Sequence, residues 1–192
     1  MGPYDFLVIG GGVIGLSIAR ELKTRHADAR ILLIEKESAC GAHASGRNSG
    51  VLHAGFYYSP DSLKAKFTKL GNERMTAYCE QKGIPLNRCG KLVVAKDAGD
   101  LPSLNELVKR GRANAIEIQE LTEAEAKRIE PRVKTYQRAL FSPRTSTVNP
   151  LHVVDAMQHD AIQEGIEIRF DTAYFSRTDQ GVRTNSDTIT AE

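Results

Sequence analysis

The sequence predicts an α/β fold that begins with a parallel β-α-β unit, and three patterns near its start predict it. Residues 4–9 are a short apolar run that ends at three glycines, Gly10–Gly12. Apolar residues then recur at the spacing of a helix, at Ile14, Ile18 and Leu22. A second apolar run, residues 31–34, ends in Glu35. Two buried strands joined by a helix are the building unit of parallel sheets.

Composition agrees with this fold class and excludes several others. The 192 residues suffice for about one domain, and 41% hydrophobic with 26% charged residues is typical of a globular protein rather than a disordered one. The net charge of +2 comes from interspersed charges, so no nucleic-acid partner is expected. Cys40, Cys79 and Cys89 form no C-x-x-C pair, which predicts packed thiols in a reducing compartment and no metal site.

The glycine run after the first strand matches the dinucleotide-binding fingerprint G-x-G-x-x-G. Gly10 permits a tight turn, and Gly12 lets the backbone approach a pyrophosphate with no Cβ in the way. Gly15 allows the helix to pack closely on the strand. The fingerprint has its required context, since it follows a strand, opens a helix and precedes an acidic residue at the end of the next strand.

The start of the predicted helix, at Val13 and Ile14, is expected to bind the phosphates. Its unpaired N–H groups and the positive end of its dipole favour an anion. Glu35 is expected to accept hydrogen bonds from the adenosine ribose, and a carboxylate there makes NADP the least expected dinucleotide. FAD and NAD share this fingerprint and both remain open at this point.

The next segments predict a long loop and a long helix. Residues 36–58 are rich in Gly and Ser and too long for a simple connection, and such loops are usually functional. Ser59-Pro60 predicts the start of a helix, as N-cap and first-turn proline, and Gly83 predicts its end. One face of this helix is apolar: Leu63, Phe67, Leu70, Ala77 and Tyr78.

Shorter elements follow. Residues 91–96 and 138–142 predict strands, and the capping boxes that begin at Ser103 and Thr122 predict two short helices, the second of which ends at Pro131.

Asn149-Pro150 predicts the start of another helix, which Gly165 ends. Its apolar face comprises Val153, Val154, Met157 and Ala161. Residues 166–170 predict a half-buried strand, and the polar tail to Glu192 has room for two short antiparallel strands.

The long loop and the segments after it resemble a known enzyme family. The run HASGRNSGVLHAGFYY, followed by SLKAKF, YCEQKGI and CGKLVVA, closely resembles the L-2-hydroxyglutarate dehydrogenase/oxidase family of the D-amino-acid-oxidase-like superfamily. The resemblance runs from about Tyr4 to Phe170. It implies FAD as the cofactor and oxidation of a 2-hydroxyacid, L-2-hydroxyglutarate, to 2-oxoglutarate. The electrons would pass to oxygen or to a membrane quinone pool.

The resemblance also implies a division of the chain. The expected fold is a Rossmann-like FAD-binding β-α-β domain with an inserted, incomplete α+β substrate domain. Residues 1–85 would form the FAD-binding segment and residues 86–150 part of the substrate domain, and residues 151–192 would return to the FAD-binding domain.

Residues in and just before the loop are expected to hold the flavin, with Arg47 as an additional cation for a phosphate or a substrate carboxylate. Together with the fingerprint, the cofactor-binding set is Lys36, Ser45, Arg47, Asn48, Ser49, Gly50 and Val51. His43 is an alternative point of covalent flavin attachment.

His53 directly follows this segment and is the candidate base that removes the hydroxyl proton, because an imidazole titrates near neutral pH. The alternative is a histidine that only hydrogen-bonds the flavin or the backbone. Tyr57 and Tyr58 are expected to close the substrate pocket, with core packing as the alternative.

The sequence ends at ITAE, where the family continues into a second half. We therefore expect a fragment, or a chain that needs a partner chain, in the cytoplasm or peripherally at the inner membrane. The alternatives are another flavoenzyme of the superfamily, such as a glycerol-3-phosphate dehydrogenase or an amino-acid oxidase, and a non-catalytic nucleotide-binding chain.

Overall fold

The computed structural model describes residues 3–191. Residues 1, 2 and 192 lie outside this range, and they are the terminal residues of the expected segments 1–85 and 151–192. The helices of the described range are α1 (Val13–Arg25), α2 (Leu63–Gln81), α3 (Leu101–Ala113), α4 (Glu123–Ile129) and α5 (Pro150–Gln163). Its strands are β1 (Phe6–Ile9), β2 (Ile31–Ile34), β3 (Val51–Leu52), β4 (Leu86–Asn87), β5 (Lys91–Val94), β6 (Gln119–Thr122), β7 (Arg138–Ser142), β8 (Ser146–Val148), β9 (Glu167–Arg169), β10 (Tyr174–Thr178), β11 (Gly181–Thr184) and β12 (Thr188–Ile189).

The chain folds into two compact units. Unit 1 combines Met1–Ser49 with Asn149–Glu192, and unit 2 is Gly50–Val148. This division falls after Ser49, whereas the sequence places residues 50–85 with the FAD-binding segment. Which steps of binding and catalysis each unit performs stays a prediction.

Unit 1 contains the predicted parallel β-α-β unit. Its sheet has the strand order β1-β2-β9, and both pairs are parallel. The middle strand has the apolar composition of a strand buried on both faces, and each residue of Ile31–Ile34 is at most 1% exposed. The mixed α/β class predicted from the sequence is confirmed here.

Helices α1 and α5 of unit 1 pack together through an ion-pair cluster. Arg20 on α1 binds both carboxylate oxygens of Glu164 from its Nε, at 3.0 and 3.1 Å. Its Nη2 lies 3.2 Å from a carboxylate oxygen of the buried Asp160 on α5. A guanidinium fork that meets two carboxylates fixes the separation and rotation of the two helices.

Helix α1 buries a different face from the one its apolar spacing predicts. Leu16 and Ala19 are fully buried, whereas Ile14 is 72% exposed and Ile18 is 48% exposed. The exposed isoleucines line an open groove of about 520 Å³ along β1, which lies at the edge of its sheet in the described residues. In the described residues no strand continues this sheet beyond β1.

The C-terminal segment forms three antiparallel strands, β10-β11-β12, where the sequence predicts two. After β12 the backbone approaches the edge of the parallel sheet, where Tyr4 and Ala191 form a parallel bridge. The N–H of Tyr4 donates to the carbonyl of Thr190 at 3.1 Å.

Unit 2 is built on two antiparallel sheets, β3-β8-β4 and β5-β7-β6. Helix α3 covers the second sheet, and the core between them consists of Ala95, Leu104, Val108 and Leu140. This sheet includes the predicted strand of residues 138–142, and β5 is two residues shorter than predicted.

Several predicted helix boundaries agree with the structure because they depend on local hydrogen bonds. Thr122 forms a reciprocal capping box with Glu125 at the start of α4. The Asn149 side chain accepts from the N–H of Leu151, with Pro150 in the first turn of α5. Gly83 and Gly165 follow the ends of α2 and α5 with positive φ angles of 66° and 83°.

Two predicted helix starts are wrong. The N-cap of α2 is Ser62, whose hydroxyl accepts from the N–H of Ala65, because Asp61 has a φ of 64° and interrupts any helix begun at Ser59. Ser103 lies inside α3, since a short 3₁₀ turn that begins at the Asp97 cap leads into this helix two residues earlier.

Two burial predictions in unit 2 are also wrong. Leu63 and Phe67 are 68% and 61% exposed, and the residues that α2 buries are Ala65 and Cys79. Cys89 is exposed rather than packed, whereas Cys40 and Cys79 are buried as expected.

Candidate functional site

The glycine turn between β1 and α1 has the tight geometry that the fingerprint predicts. Gly10 has a φ of 105°, and its N–H donates to the carbonyl of Ile34 at 2.8 Å. A Cβ at Gly15 would lie 1.9 Å from the carbonyl oxygen of Gly10. The first turn of α1 therefore packs directly on the backbone of the loop, which only glycine permits at this position.

The carboxylate of Glu35 lies beneath this turn. One oxygen accepts the N–H of Gly11 at 2.6 Å, and the other accepts the N–H of Glu37 at 3.0 Å. The residue is only 8% exposed. Glu35 thus fixes the turn and the start of the following loop, and a carboxylate has lone pairs left to accept further hydrogen bonds. Its contact with a ribose stays a prediction.

The start of α1 receives its cap from the long loop. Gly12 is the N-cap residue, and the hydroxyl of Ser45 accepts the N–H of Val13 at 3.0 Å. A Cβ at Gly12 would meet that same hydroxyl at 2.9 Å. Ser45 is thereby placed at the positive end of the helix dipole, beside Ile14.

The rest of the loop forms a series of turns in unit 1. The N–H of Arg47 donates to the carbonyl of His43 at 3.0 Å. Arg47 itself is exposed. The amide of Asn48 donates to the carbonyls of Ala44 and Ser45 at 3.0 and 2.9 Å, so this side chain shapes the turn. Ser49 is exposed too.

The other predicted loop residues divide between the units. Lys36 is exposed, with its Nζ 3.5 Å from the Glu37 carboxylate, in unit 1. Gly50 and Val51 belong to unit 2, where Val51 pairs with Thr147 in the first antiparallel sheet.

His43 makes a side-chain contact within the loop. Its Nε2 lies 2.7 Å from a carboxylate oxygen of Glu37, and both side chains are largely exposed. The hydrogen bond from His43 is the main cause that lowers the pKa of Glu37. This pair connects the two ends of the turn over residues 37–43.

The predicted base, His53, lies in unit 2 directly after β3. The residue is exposed at the surface, and the desolvation of its imidazole by neighbouring atoms, followed by the charge of Lys91, lowers its pKa. The Nζ of Lys91 lies 4.6 Å from the ring centroid of Tyr57, a cation–π contact. His53, Tyr57 and Lys91 are therefore grouped on one part of unit 2.

The segment that carries Tyr57 and Tyr58 is held from both sides. The ring of Phe56, which is 1% exposed, packs 4.3 Å from the ring of Tyr57. The carbonyl of Tyr57 accepts from Arg110 at 2.9 Å, and that of Tyr58 accepts from Asn114 at 3.0 Å. Helix α3 thereby fixes the backbone on which both half-buried tyrosines lie.

Three residues of these sites were missed by sequence reasoning. The first is Gly11, where a Cβ would lie 2.8 Å from the Cys40 sulfur, so a side chain there would displace Cys40. The run of three consecutive glycines was the sequence signal for this position. Burial, with a smaller contribution from the Glu35 charge, raises the pKa of the Cys40 thiol to about 11. Lys91 gave no signal beyond its position at the start of a predicted strand.

The fingerprint region of unit 1 fits the diphosphate of FAD. Three successive residues before α1 lack side chains, and two of them cannot accept a Cβ without displacing Cys40 or Ser45. The helix start beside them presents backbone N–H groups, of which that of Val13 is bonded to the Ser45 hydroxyl. The chemistry of this cradle is that of an anion site.

The described residues contain neither a membrane-spanning helix nor a metal-binding cluster. No helix within residues 3–191 is long and apolar enough to cross a membrane. In the same range, no three His, Cys, Asp or Glu side chains lie together in a way that would hold a metal ion.

The fold and the glycine cradle are those of a dinucleotide-binding protein. The family model described as "FAD dependent oxidoreductase" (DAO) matches residues 5–191, and the chain belongs to this family. FAD is the cofactor of the family, as the resemblance of the long loop implies.

Within this family, the chain is similar to curated L-2-hydroxyglutarate dehydrogenases. The chain is 43% identical, over 165 residues, to the L-2-hydroxyglutarate dehydrogenase of Escherichia coli (strain K12), a match that covers 86% of this chain and 39% of the relative. It is 39% identical over 166 residues to the mitochondrial L-2-hydroxyglutarate dehydrogenase of Nematostella vectensis, covering 86% of this chain and 36% of the relative. The chain thus spans about two fifths of the length of the curated relatives it matches.

Solved structures share the fold over the whole chain. The L-α-glycerophosphate oxidase of Mycoplasma pneumoniae, with FAD bound, superposes with a TM-score of 0.86 at 29% identity and covers 99% of this chain and 52% of that one. The glycine oxidase of Geobacillus kaustophilus gives a TM-score of 0.88 at 27% identity and covers 100% of this chain and 54% of its own.

Proposed function

We propose that the protein to which this chain belongs oxidises L-2-hydroxyglutarate to 2-oxoglutarate with FAD. The observation that carries the proposal is the 43% identity to an L-2-hydroxyglutarate dehydrogenase over 86% of this chain. The activity is that of the relative, and its transfer to this chain is the proposal. We assign cofactor binding to the glycine cradle of unit 1 and removal of the hydroxyl proton to His53 of unit 2.

Unit 1 binds the cofactor in this proposal. Bound FAD supplies the acceptor for the hydride that leaves C2 of the substrate. The N–H groups at the start of α1 hold the diphosphate where the helix dipole favours negative charge. Gly12 leaves the approach open, Ser45 keeps the first helical N–H capped, and Glu35 accepts from the adenosine ribose while it holds the turn.

The long loop contacts the rest of the cofactor. Arg47 is an exposed cation two residues after the helix cap Ser45, and a guanidinium there suits a phosphate oxygen. Asn48, Ser49, Gly50, Val51 and Lys36 remain candidates for flavin contacts, with Asn48 acting through the shape of its turn.

His53 accepts the proton of the substrate hydroxyl. Its lowered pKa keeps the imidazole neutral near pH 7, so a ring nitrogen is available as a base. The half-buried rings of Tyr57 and Tyr58 form the wall on which the substrate rests, because α3 fixes the backbone beneath them.

The electrons leave to oxygen or to a membrane quinone, and the protein acts in the cytoplasm or at the inner-membrane surface. Oxygen consumption, compared with reduction of a soluble quinone analogue, separates the two acceptors. Fractionation of cells that produce the protein tests the two locations.

A second candidate activity has support from the structural comparison. The L-α-glycerophosphate oxidase and the glycine oxidase share the fold over essentially the whole chain. Both are less similar in sequence, at 29% and 27% identity, than the Escherichia coli dehydrogenase at 43%. L-2-hydroxyglutarate is therefore the favoured substrate, and glycerol 3-phosphate and glycine are the competing ones.

The test uses a chimera in which this chain replaces the matched segment of the Escherichia coli dehydrogenase. Flavin absorbance of the purified chimera reports cofactor binding. Anaerobic addition of L-2-hydroxyglutarate should bleach this absorbance, and D-2-hydroxyglutarate, glycerol 3-phosphate and glycine should not. Bleaching by glycerol 3-phosphate or glycine instead would replace the proposed activity with the second candidate.

A further inference from the structure

Lys91 is a half-buried cation without an acidic neighbour. It is the first residue of β5, where it pairs with Ser142, and its Nζ lies against the ring of Tyr57 at 4.6 Å from the centroid. No acidic side chain of residues 3–191 lies within ion-pair distance of this ammonium. A lysine of intermediate burial packs its aliphatic stem and keeps its ammonium in water, where the charge is available to an anionic ligand.

The charge of Lys91 also acts on the imidazole of His53. Burial is the main cause of its lowered pKa, and Lys91 contributes the electrostatic part. Two other cations reach this segment. Arg110 donates to the carbonyl of Tyr57 and is paired with Glu106 at 3.0 Å, and the Nζ of Lys64 lies 4.6 Å from the ring centroid of Tyr58. Lys91 is thus the cation that contacts the Tyr57 ring and whose charge acts on His53.

The surface that carries this pair is rigid before any ligand arrives. Phe56 is part of a buried cluster with Ala54 and Ile116, and its ring packs against Tyr57. Gly55 has a φ of 99° and a Cβ there would meet Ile116 at 3.3 Å, so the chain path is fixed by close packing. A preorganised donor pair loses little entropy when it binds a ligand.

We propose that Lys91, together with His53 and the ring of Tyr57, forms the subsite that binds a carboxylate of the 2-hydroxyacid substrate. The inference rests on the proposed function and deepens it, since it names the group that selects an anionic substrate. A carboxylate at this subsite neutralises the charge of Lys91 and accepts from its N–H groups. It also removes the repulsion that opposes protonation of His53, so the base gains proton affinity when the substrate is bound.

The subsite lies wholly within unit 2, so the 192-residue chain is sufficient for the test. Glutarate is the probe, because it carries two carboxylates and no hydroxyl to oxidise. The pKa of His53 is followed by NMR of the imidazole, with the resonance assigned through His53→Asn. Glutarate should raise this pKa by about 0.5–1 unit, as expected for a nearby opposite charge at a partly exposed site. Sodium chloride at equal ionic strength should have a smaller effect.

The variants locate the effect at Lys91. In Lys91→Met the pKa of His53 should rise without ligand, and glutarate should add no further shift. Lys91→Arg should keep the response, because it keeps a cation at this position. Lys96→Met is the matched control, since Lys96 is an exposed lysine just beyond the other end of β5. It should behave like the unmodified chain.

The possible failures are separable. A shift of equal size in Lys91→Met, or no shift beyond that of salt in the unmodified chain, would overturn the subsite. Neither result would contradict the proposed activity, because that activity is tested separately by flavin bleaching in the chimera. A glutarate response that needs Lys91, in a protein whose flavin L-2-hydroxyglutarate does not bleach, would support the anion subsite and overturn the proposed activity.

Discussion

Two glycines of the fingerprint exclude side chains for different physical reasons. At Gly15 an added Cβ would lie 1.9 Å from a backbone oxygen, which cannot move unless the turn breaks. At Gly12 the obstacle is the hydroxyl of Ser45, 2.9 Å away, which can rotate. A substitution at Gly15 therefore damages the fold, whereas one at Gly12 damages the cofactor site first.

The first prediction concerns Gly12→Val. We expect the fold to survive, because Ser45 can turn aside, and FAD retention to be lost, because the branched side chain takes the space of the diphosphate. Flavin absorbance per mole of chimera measures retention, and circular dichroism measures the fold. Gly71→Ala is the control, since nothing lies within 4 Å of a Cβ there. It should keep FAD and stabilise α2 by about 0.5–1 kcal/mol. Normal FAD occupancy in Gly12→Val would show that the diphosphate does not bind at the fingerprint.

The second prediction concerns His53 and pH. Because its pKa is lowered below its ordinary value of about 6.5, the unfolded chain binds this proton more readily than the folded one. Stability from this group is therefore lost as pH falls from about 6.5 through the lowered value, and it is fully present above 6.5. At sub-saturating L-2-hydroxyglutarate, where the rate reports the free protein, flavin reduction in the chimera should rise with pH across the same window and then level off.

His53→Asn tests the same assignment by rate. Losing a general base typically costs about 10²–10⁴-fold, and the pH-dependent rise should disappear with the imidazole. Stopped-flow measurement of anaerobic flavin reduction gives both the rate and the substrate dissociation constant. Unchanged reduction rates in the variant would leave His53 with an orienting role only.

At the scale of elements, the contact between α1 and α5 depends on one arginine. Arg20 holds Glu164 through two hydrogen bonds from Nε and lies 3.2 Å from the buried Asp160. This junction fixes the helix that begins in the cofactor cradle. Its loss should loosen the cradle as well as the packing.

The third prediction is therefore that Arg20→Ala destabilises the chain by about 1.5–3 kcal/mol, the usual worth of hydrogen bonds to charged groups. Urea unfolding followed by circular dichroism measures this free energy. Arg25→Ala on the same helix is the control, because the pair of Arg25 with Glu21 is exposed, and it should cost about 0–0.5 kcal/mol. Equal effects of the two variants would show that the junction contributes no more than a surface ion pair.

What the sequence could predict about elements depended on whether the signal was local. The N-cap Asn149, the capping box at Thr122 and the glycine after α2 act through hydrogen bonds a few residues away, and all three predictions are confirmed. The starts at Ser59 and Ser103 were wrong because competing caps lie close by.

Long-range contacts left no such signal. Strands β3 and β4 have two residues each and exist through pairing with β8, far along the chain. The approach of Lys91 to Tyr57 likewise joins distant segments, so Lys91 could not be assigned to the site. The fingerprint was accessible because its strand, turn, helix and acidic residue fall within 35 residues.

At the scale of the whole molecule, the described chain exposes an apolar strip along one edge of its parallel sheet. Ile9, Ile14 and Ile18 are 51%, 72% and 48% exposed and line the groove beside β1. Exposed apolar patches of this kind usually mark a surface that other polypeptide covers. The chain spans about two fifths of its curated relatives, so we propose that residues outside it cover this strip.

The fourth prediction is that the 192-residue chain alone does not turn over L-2-hydroxyglutarate and binds FAD weakly. An uncovered cradle leaves the cofactor in water, where preorganised groups stabilise developing charge poorly. Restoring the remaining polypeptide, as in the chimera or by co-expression in trans, should restore tight binding and turnover. Steady-state oxidation of L-2-hydroxyglutarate by the isolated chain, with its mass confirmed, at a rate normal for an enzyme would contradict this prediction.

The discontinuity of unit 1 bears on how the protein is made. Strand β9 pairs with β2, yet the whole of unit 2 separates the two stretches of unit 1 along the chain. During synthesis β1, α1 and β2 leave the ribosome before unit 2, and they remain without β9 while about a hundred residues are added, at roughly 5–20 residues per second. Unit 2 is continuous and can complete its sheets in that interval. The nascent parallel strands are thus the segment most in need of a chaperone, and slowed translation across residues 50–148 would prolong their exposure.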